Sequence, residues 1–235
     1  MDQVLNVYKP IGRTSFSVVG EIRRRLKIKK VGHAGTLDPL ADGVLIVLTG
    51  NMTKQQESFM HQEKEYLAKI AFGFSTYTYD LEGDFVDKFP GITDPKKVED
   101  LIITLNKTLP DTLKLFEGDL MQEVPAFSAV KISGRRLYDM ARKNDIQGTK
   151  LPVKSIKIHK IDLLSLKTEY LDKIGSYLPV ATIRVTCGSG TYIRSLANDL
   201  GKKLSVPSVL SALTRTRIGN LTIENSIKLE NLENL

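Results

Sequence analysis

The run VLIVL, Val44 to Leu48, constrains the fold more than any other stretch of the chain. An amphipathic helix would space its apolar residues three and four apart, and a half-wet strand would alternate them. An unbroken apolar run of strand length predicts a strand buried on both faces, so the sheet that holds it must be covered on both sides. Directly before it lies VGHAGTLDPLADG, residues 31 to 43, and before that the basic run RRRLKIKK. Glycines 32, 35 and 43 permit positive backbone angles and close approach of a ligand, and Pro39 restricts Asp38 to an extended conformation. This loop therefore presents Asp38 at the entrance to a buried strand. A carboxylate so placed can act as a nucleophile, a general base, a metal ligand or a turn former that bonds its own backbone. An isolated aspartate before proline reads as the turn former.

The rest of the chain supplies layers for that sheet. Val4 to Tyr8 reads as a strand that breaks at Pro10 and Gly12. A helix follows, capped by Thr14 or Ser15, with Phe16, Val19, Ile22 and Leu26 toward the core and the arginines outside. Tyr66 to Phe74 reads as a strand and TYTYDLEGD as a polar turn. Asp94 to Leu109 is a helix with Pro95 in its first turn and Val98, Leu101, Ile102 and Leu105 on one face. Strands are expected at Phe127 to Ile132, Ile156 to Leu166 and Val180 to Cys187, the last with alternating Ala181, Ile183, Val185 and Cys187. Helices are expected at Arg136 to Lys143 and Thr191 to Lys203. Irregular grouping of strands, with helices between some of them, predicts an α+β fold: a mixed, mostly antiparallel central sheet flanked by helices and loops.

Charge narrows the partners. The chain has 34 lysines and arginines against 27 acids, a formal net charge of +7, and six of the eight residues from Arg23 to Lys30 are basic. Such density attracts a polyanion by releasing its counterions, and Arg23, Arg24, Arg25, Lys29 and Lys30 are the candidates for a nucleic-acid backbone. A solvated helix face is the competing reading. A single cysteine, Cys187, excludes an internal disulfide, and with only His33, His61 and His159 beside it a metal centre is not expected. No apolar run approaches bilayer length, and MDQVLNVYKP lacks a signal-peptide pattern, so a cytoplasmic protein is expected.

Two further stretches bear on chemistry. In CGSGTYIRSLANDLG a strand ends in a Gly-Ser-Gly turn and a helix begins. Backbone amides at such a junction suit a phosphate, but the lysine of a nucleotide-binding loop is missing. Arg194 falls in the first helical turn, where a cation is unfavourable unless an anion compensates it. In KEYLAKIAFG, Tyr66 is either a packing residue or a ring that stacks on a nucleobase, an interaction worth about 1–3 kcal/mol.

Taken in order, YKPIGRTS, KVGHAGTLDPLADGVL, KEYLAKIAFGFSTYTYD, VPAFSAVKISGRRLYDMAR, CGSGTYIRSLANDLG and LSALTRTRIG resemble one family. It is the TruB type of bacterial tRNA pseudouridine synthase, which isomerises the uridine at position 55 in the T loop. The resemblance implies the pseudouridine synthase fold, no cofactor and no metal, a tRNA T stem-loop as partner, and a monomer. It makes Asp38 the nucleophile, pairs Arg194 with it, and sets Tyr66 against the base, with its phenol a candidate acceptor for the C5 proton. His33, Tyr192, Leu213 and Asp80 join the substrate site. It implies a catalytic domain over residues 1–219 and a short tail, 220–235, where family members usually carry a PUA-type RNA-binding domain. Two positions depart from the pattern: Asp42 replaces a small hydroxyl residue, and Tyr77 replaces an aspartate. The alternative is a non-catalytic RNA-binding or RNA-folding module on the same scaffold, which would not require Asp38, Tyr66 and Arg194 together.

Overall fold

A computed structural model describes residues 2–143, 145–146 and 148–234. In chain order the elements are β1 (Val4–Lys9), α1 (Ser15–Arg25), β2 (Val31–Ala34), β3 (Ala41–Thr49), α2 (Gln56–Met60), β4 (Lys64–Phe72), β5 (Phe74–Thr76), β6 (Phe85–Lys88), α3 (Pro95–Lys114) and β7 (Gly118–Glu123). Then come β8 (Lys131–Ile132), β9 (Arg135–Arg136), α4 (Leu137–Arg142), β10 (Val153–Leu171), β11 (Ser176–Cys187), α5 (Ile193–Leu204), β12 (Ser208–Ile218) and β13 (Leu221–Thr222). Two compact units share them: Met1–Leu67, Val185–Ser189 and Ala212–Leu235 form the first, Ala68–Arg184 and Gly190–Ser211 the second.

In the first unit the strands run in the order β1-β3-β12-β4. β1 and β2 are antiparallel to β3, with Val7 opposite Leu45 and His33 opposite Val47, whereas β12 runs parallel to β3, with Leu213 opposite Ala41 and Arg215 opposite Gly43. Val44 to Leu48 are all fully buried, as the unbroken apolar run predicts. One cluster joins Leu45 and Val47 to Leu5, Val7, Val18, Val19 and Ile22, and a second joins Val44, Ile46 and Leu48 to Ala34 and Ile218. Both faces of β3 are thus occupied.

Helix α1 corrects one residue of the sequence reading. Thr14 is the N-cap, its hydroxyl accepting from the Ser17 amide, and the buried stripe is Ser15, Val18, Val19 and Ile22. Phe16 is 73% exposed. The inward position one residue earlier belongs to Ser15, whose hydroxyl both accepts from the Leu37 amide at 2.9 Å and donates to the Leu37 carbonyl at 3.0 Å. That pair of bonds fixes the helix rotation and turns Phe16 outward. Residues after β13 pack on the same unit: the Ile227 amide donates to the Asn6 carbonyl, the Tyr8 amide donates to the Ile227 carbonyl, and Leu232 is fully buried.

In the second unit the order is β4-β11-β10-β7, with β7 antiparallel to β10 and Val153 opposite Glu123. The α3 helix runs on to Lys114, past the expected end at Leu109 and through Pro110. Leu109 and Leu113 extend the buried stripe of Val98, Leu101 and Leu105, and their packing outweighs the donor that the proline lacks. Of the expected strand Phe127 to Ile132, only Lys131 and Ile132 are extended, as β8. The carbonyls before them bond elsewhere: Phe127 accepts from Arg194, Ser128 from the Tyr138 amide and Val130 from the Leu137 amide. With β3 and β12 parallel, the β1–β3, β2–β3 and β7–β10 pairs antiparallel and helices beside the strands, the chain has a mixed, mostly antiparallel α+β architecture.

Candidate active site

Residues 31 to 43 are not one long loop. Val31–Ala34 and Ala41–Thr49 pair as a hairpin, which leaves residues 35–40 to turn the corner and present Asp38. Each carbonyl from Gly35 to Pro39 accepts a hydrogen bond. Gly35 and Thr36 accept from the Arg215 guanidinium, Leu37 from the Ser15 hydroxyl, Asp38 from the Ala41 amide and Pro39 from the Gly12 amide. A loop with its carbonyls so engaged has little freedom to move the side chain it carries. Gly43 allows this arrangement: its φ is +105°, and a Cβ there would lie 2.2 Å from the Arg215 carbonyl oxygen.

The first unit holds His33, Asp38, Tyr66 and Leu213 of the expected site. Leu213 is buried beside Ala41 on β12. The Tyr66 ring is buried, and burial raises its phenol pKa above the ordinary value although the Arg215 guanidinium hydrogen-bonds it and pulls the other way. Burial lowers the His33 pKa, with the Arg215 charge adding to the effect, so the imidazole is neutral at neutral pH. Asp42, the first departure, takes a hydrogen bond from the Tyr8 hydroxyl on its Oδ2 at 2.5 Å, and that bond is the main cause that pushes Tyr8 up to about 12. The extra carboxylate close to Asp38 in sequence thus has its own donor.

The second unit holds Asp80, Tyr192 and Arg194. Arg194 is 5% exposed in the first turn of α5 and finds the anion that its position demands: its Nε lies 3.6 Å from Asp80 Oδ2. Its Nη1 donates to the Thr78 carbonyl at 2.9 Å and its Nη2 to the Phe127 carbonyl at 3.0 Å. Asp80 is held in turn by the Thr78 hydroxyl and the Glu82 amide, both on Oδ1. The amide and carbonyl of Tyr192 both bond the buried side chain of Gln122, at 2.8 and 3.1 Å. Tyr77, the second departure, is 65% exposed, which leaves Asp80 as the buried carboxylate of its turn.

The basic run divides. Arg24, Lys29 and Lys30 are exposed, and Arg23 is exposed although its Nη2 donates to the Val31 carbonyl. Arg25 pairs with Glu21 at 2.7 Å and donates to the Leu229 carbonyl. A second basic surface escaped the sequence reading. In the second unit an open pocket of about 740 Å³ is lined by Lys131, Arg135, Arg136, Arg142 and Lys143, with Asp139 as its one acid. Among the described residues no group of three or more His, Cys, Asp or Glu side chains is arranged to hold a metal ion, and no helix is long and apolar enough to cross a membrane.

Sequence reasoning missed Ser15, Gln122 and Arg215. All three act on backbone through side chains, and a side chain that bonds backbone leaves no periodic mark in the sequence.

The family described as TruB family pseudouridylate synthase (N terminal domain) matches residues 23–193. The chain is 40% identical over 235 residues to the tRNA pseudouridine synthase B of Clostridium tetani, covering 99% of this chain and 73% of that protein. It is 44% identical over 231 residues to the tRNA pseudouridine synthase B of Bacteroides fragilis, covering 96% and 90%. Among solved structures it resembles a chain of a Cbf5-Nop10-Gar1 complex with 30% identity, TM-score 0.65 and coverage of 98% and 53%. A chain of the archaeal box H/ACA sRNP Nop10-Cbf5 complex is 27% identical, with TM-score 0.63 and coverage of 98% and 52%. The chain thus spans about half the length of those solved chains. With a family match over residues 23–193 and relatives 40–44% identical over nearly the whole of this chain, the chain belongs to the TruB family of pseudouridylate synthases.

Proposed function

We propose that this chain is a tRNA uridine isomerase that converts the uridine at position 55 of the T loop to pseudouridine. Its relatives at 40–44% identity carry the name tRNA pseudouridine synthase B. The observation that carries the reading is the bonded run of carbonyls from Gly35 to Pro39, which fixes a carboxylate where a turn former would need no such support.

The reaction breaks the bond from C1′ to N1 and joins C1′ to C5. N1 gains a proton and C5 loses one, with no net oxidation, hydrolysis or group donor. Asp38 starts it, either by forming an adduct with the sugar as the base leaves or by taking a sugar proton so that a glycal forms. Tyr66 lies against the detached uracil while it turns. The family resemblance makes Arg194 a further catalytic residue and gives His33, Tyr192, Leu213 and Asp80 roles in substrate binding.

A uridine inside a folded T loop must first be flipped out, at a cost of a few kcal/mol. Phosphate contacts supply that energy, and Arg23, Arg24, Lys29 and Lys30 with the Arg135–Arg142 pocket are the exposed cations suited to them.

Tritium release from T-arm RNA labelled at uridine C5 tests the reading. The intact protein should release label, and Asp38→Asn should lose at least about 10³-fold of the rate while still binding the RNA. No release by the intact protein from several tRNA substrates would leave only an RNA-binding module.

A further inference from the structure

Arg215 is 1% exposed and is among the largest fully buried side chains of the protein. Its Nε donates to the Val44 carbonyl at 2.8 Å, its Nη1 to Thr36 at 3.3 Å and its Nη2 to Gly35 at 3.1 Å. The same guanidinium hydrogen-bonds the Tyr66 phenol. Burying a cation is costly, and a strand that needed only packing would place an aliphatic residue here, as it does two residues earlier at Leu213. The contacts explain the exception, because they reach two functional groups of the first unit at once.

We infer that Arg215 is a positioning residue for the isomerisation: its guanidinium fixes the backbone that leads into Asp38 and, from the same plane, orients the phenol of Tyr66. On the N-terminal side of Asp38, Arg215 holds residues 35 and 36 and Ser15 holds residue 37. On the other side the Ala41 and Gly12 amides hold residues 38 and 39. At Tyr66 the guanidinium lies within reach of the phenol oxygen and offers it a donor. A lysine cannot replace this arrangement. Its ammonium is a single point at the end of a flexible stem, whereas the planar fork sends donors toward the loop, the strand and the phenol together. Displacing a reacting group by about 1 Å costs on the order of 10²-fold in rate, so the loss should fall on turnover and not on RNA affinity.

This inference rests on the isomerase reading above, and the experiment separates the two. Arg215→Lys and Arg215→Gln are compared with the intact protein in steady-state tritium release from T-arm RNA, after circular dichroism melts have identified a temperature at which each is folded. The expected result is a fall in kcat of about 10²-fold or more with KM within about threefold of the unaltered value. A folded variant that keeps kcat within about threefold overturns the inference, as does a rise in KM at unchanged kcat. If neither variant folds, Arg215 is structural and the inference also fails. Absence of release from the unaltered protein removes the isomerase reading itself, and this inference with it.

Discussion

His33 carries its imidazole on β2 with Nδ1 buried and without a hydrogen-bond partner among the described residues. Burial first, and the Arg215 charge second, lower its pKa from 6.5. The sign follows from linkage. The folded state binds the proton less readily than the unfolded chain, so the stability tied to neutral His33 is fully present above about pH 6.5 and is lost as pH falls below it. Between pH 7.5 and 5.5 the melting temperature of the unaltered protein should therefore drop further than that of His33→Gln. Equal drops in calorimetric scans would mean that the imidazole protonates freely in the fold. His33 and Asp38 were singled out through the family resemblance, since an aspartate before proline in a glycine-rich stretch reads by itself as a turn former. Arg215 was not, because an arginine in the alternating stretch LTRTRI reads as a solvent-facing residue, and only the folded neighbours reveal carbonyls to meet it.

At the scale of elements, α1 separates apolar character from direction. Val18, Val19 and Ile22 face the core, while Phe16 faces water on the same helix. Ile22→Ala should cost about 2–5 kcal/mol in urea unfolding, the range for emptying a packed aliphatic site. Phe16→Ser should stay within about 0.5 kcal/mol, as an exposed position does. A large loss from Phe16→Ser would put the stripe back where simple apolar spacing sets it. Elements with a clean period were legible: β3 from its unbroken run, α5 and β11 from their spacing. β12 was not, because its buried face mixes Leu213 with Arg215, nor was β7, whose GDLMQE pattern buries only Gln122. In each case a polar side chain holds an inward position by bonding backbone, and hydropathy alone counts it as outward.

Two units built from interleaved segments explain why no domain boundary showed in the sequence. The first unit returns twice after the chain has left it, at Val185–Ser189 and Ala212–Leu235, so no linker or change of composition marks the crossing points. Charge also works at this scale. A formal net charge of +7 and exposed cations in both units suit a partner that is held by its phosphates, and such a partner has to be told apart by the single base on which the chemistry acts. The most direct measurement is therefore a position-by-position map of pseudouridine in a complete, unmodified tRNA transcript after incubation with the protein. Pseudouridine at position 55, absent when Asp38→Asn is used, is the predicted result. An unmodified transcript, or pseudouridine at another position with position 55 untouched, would contradict the account.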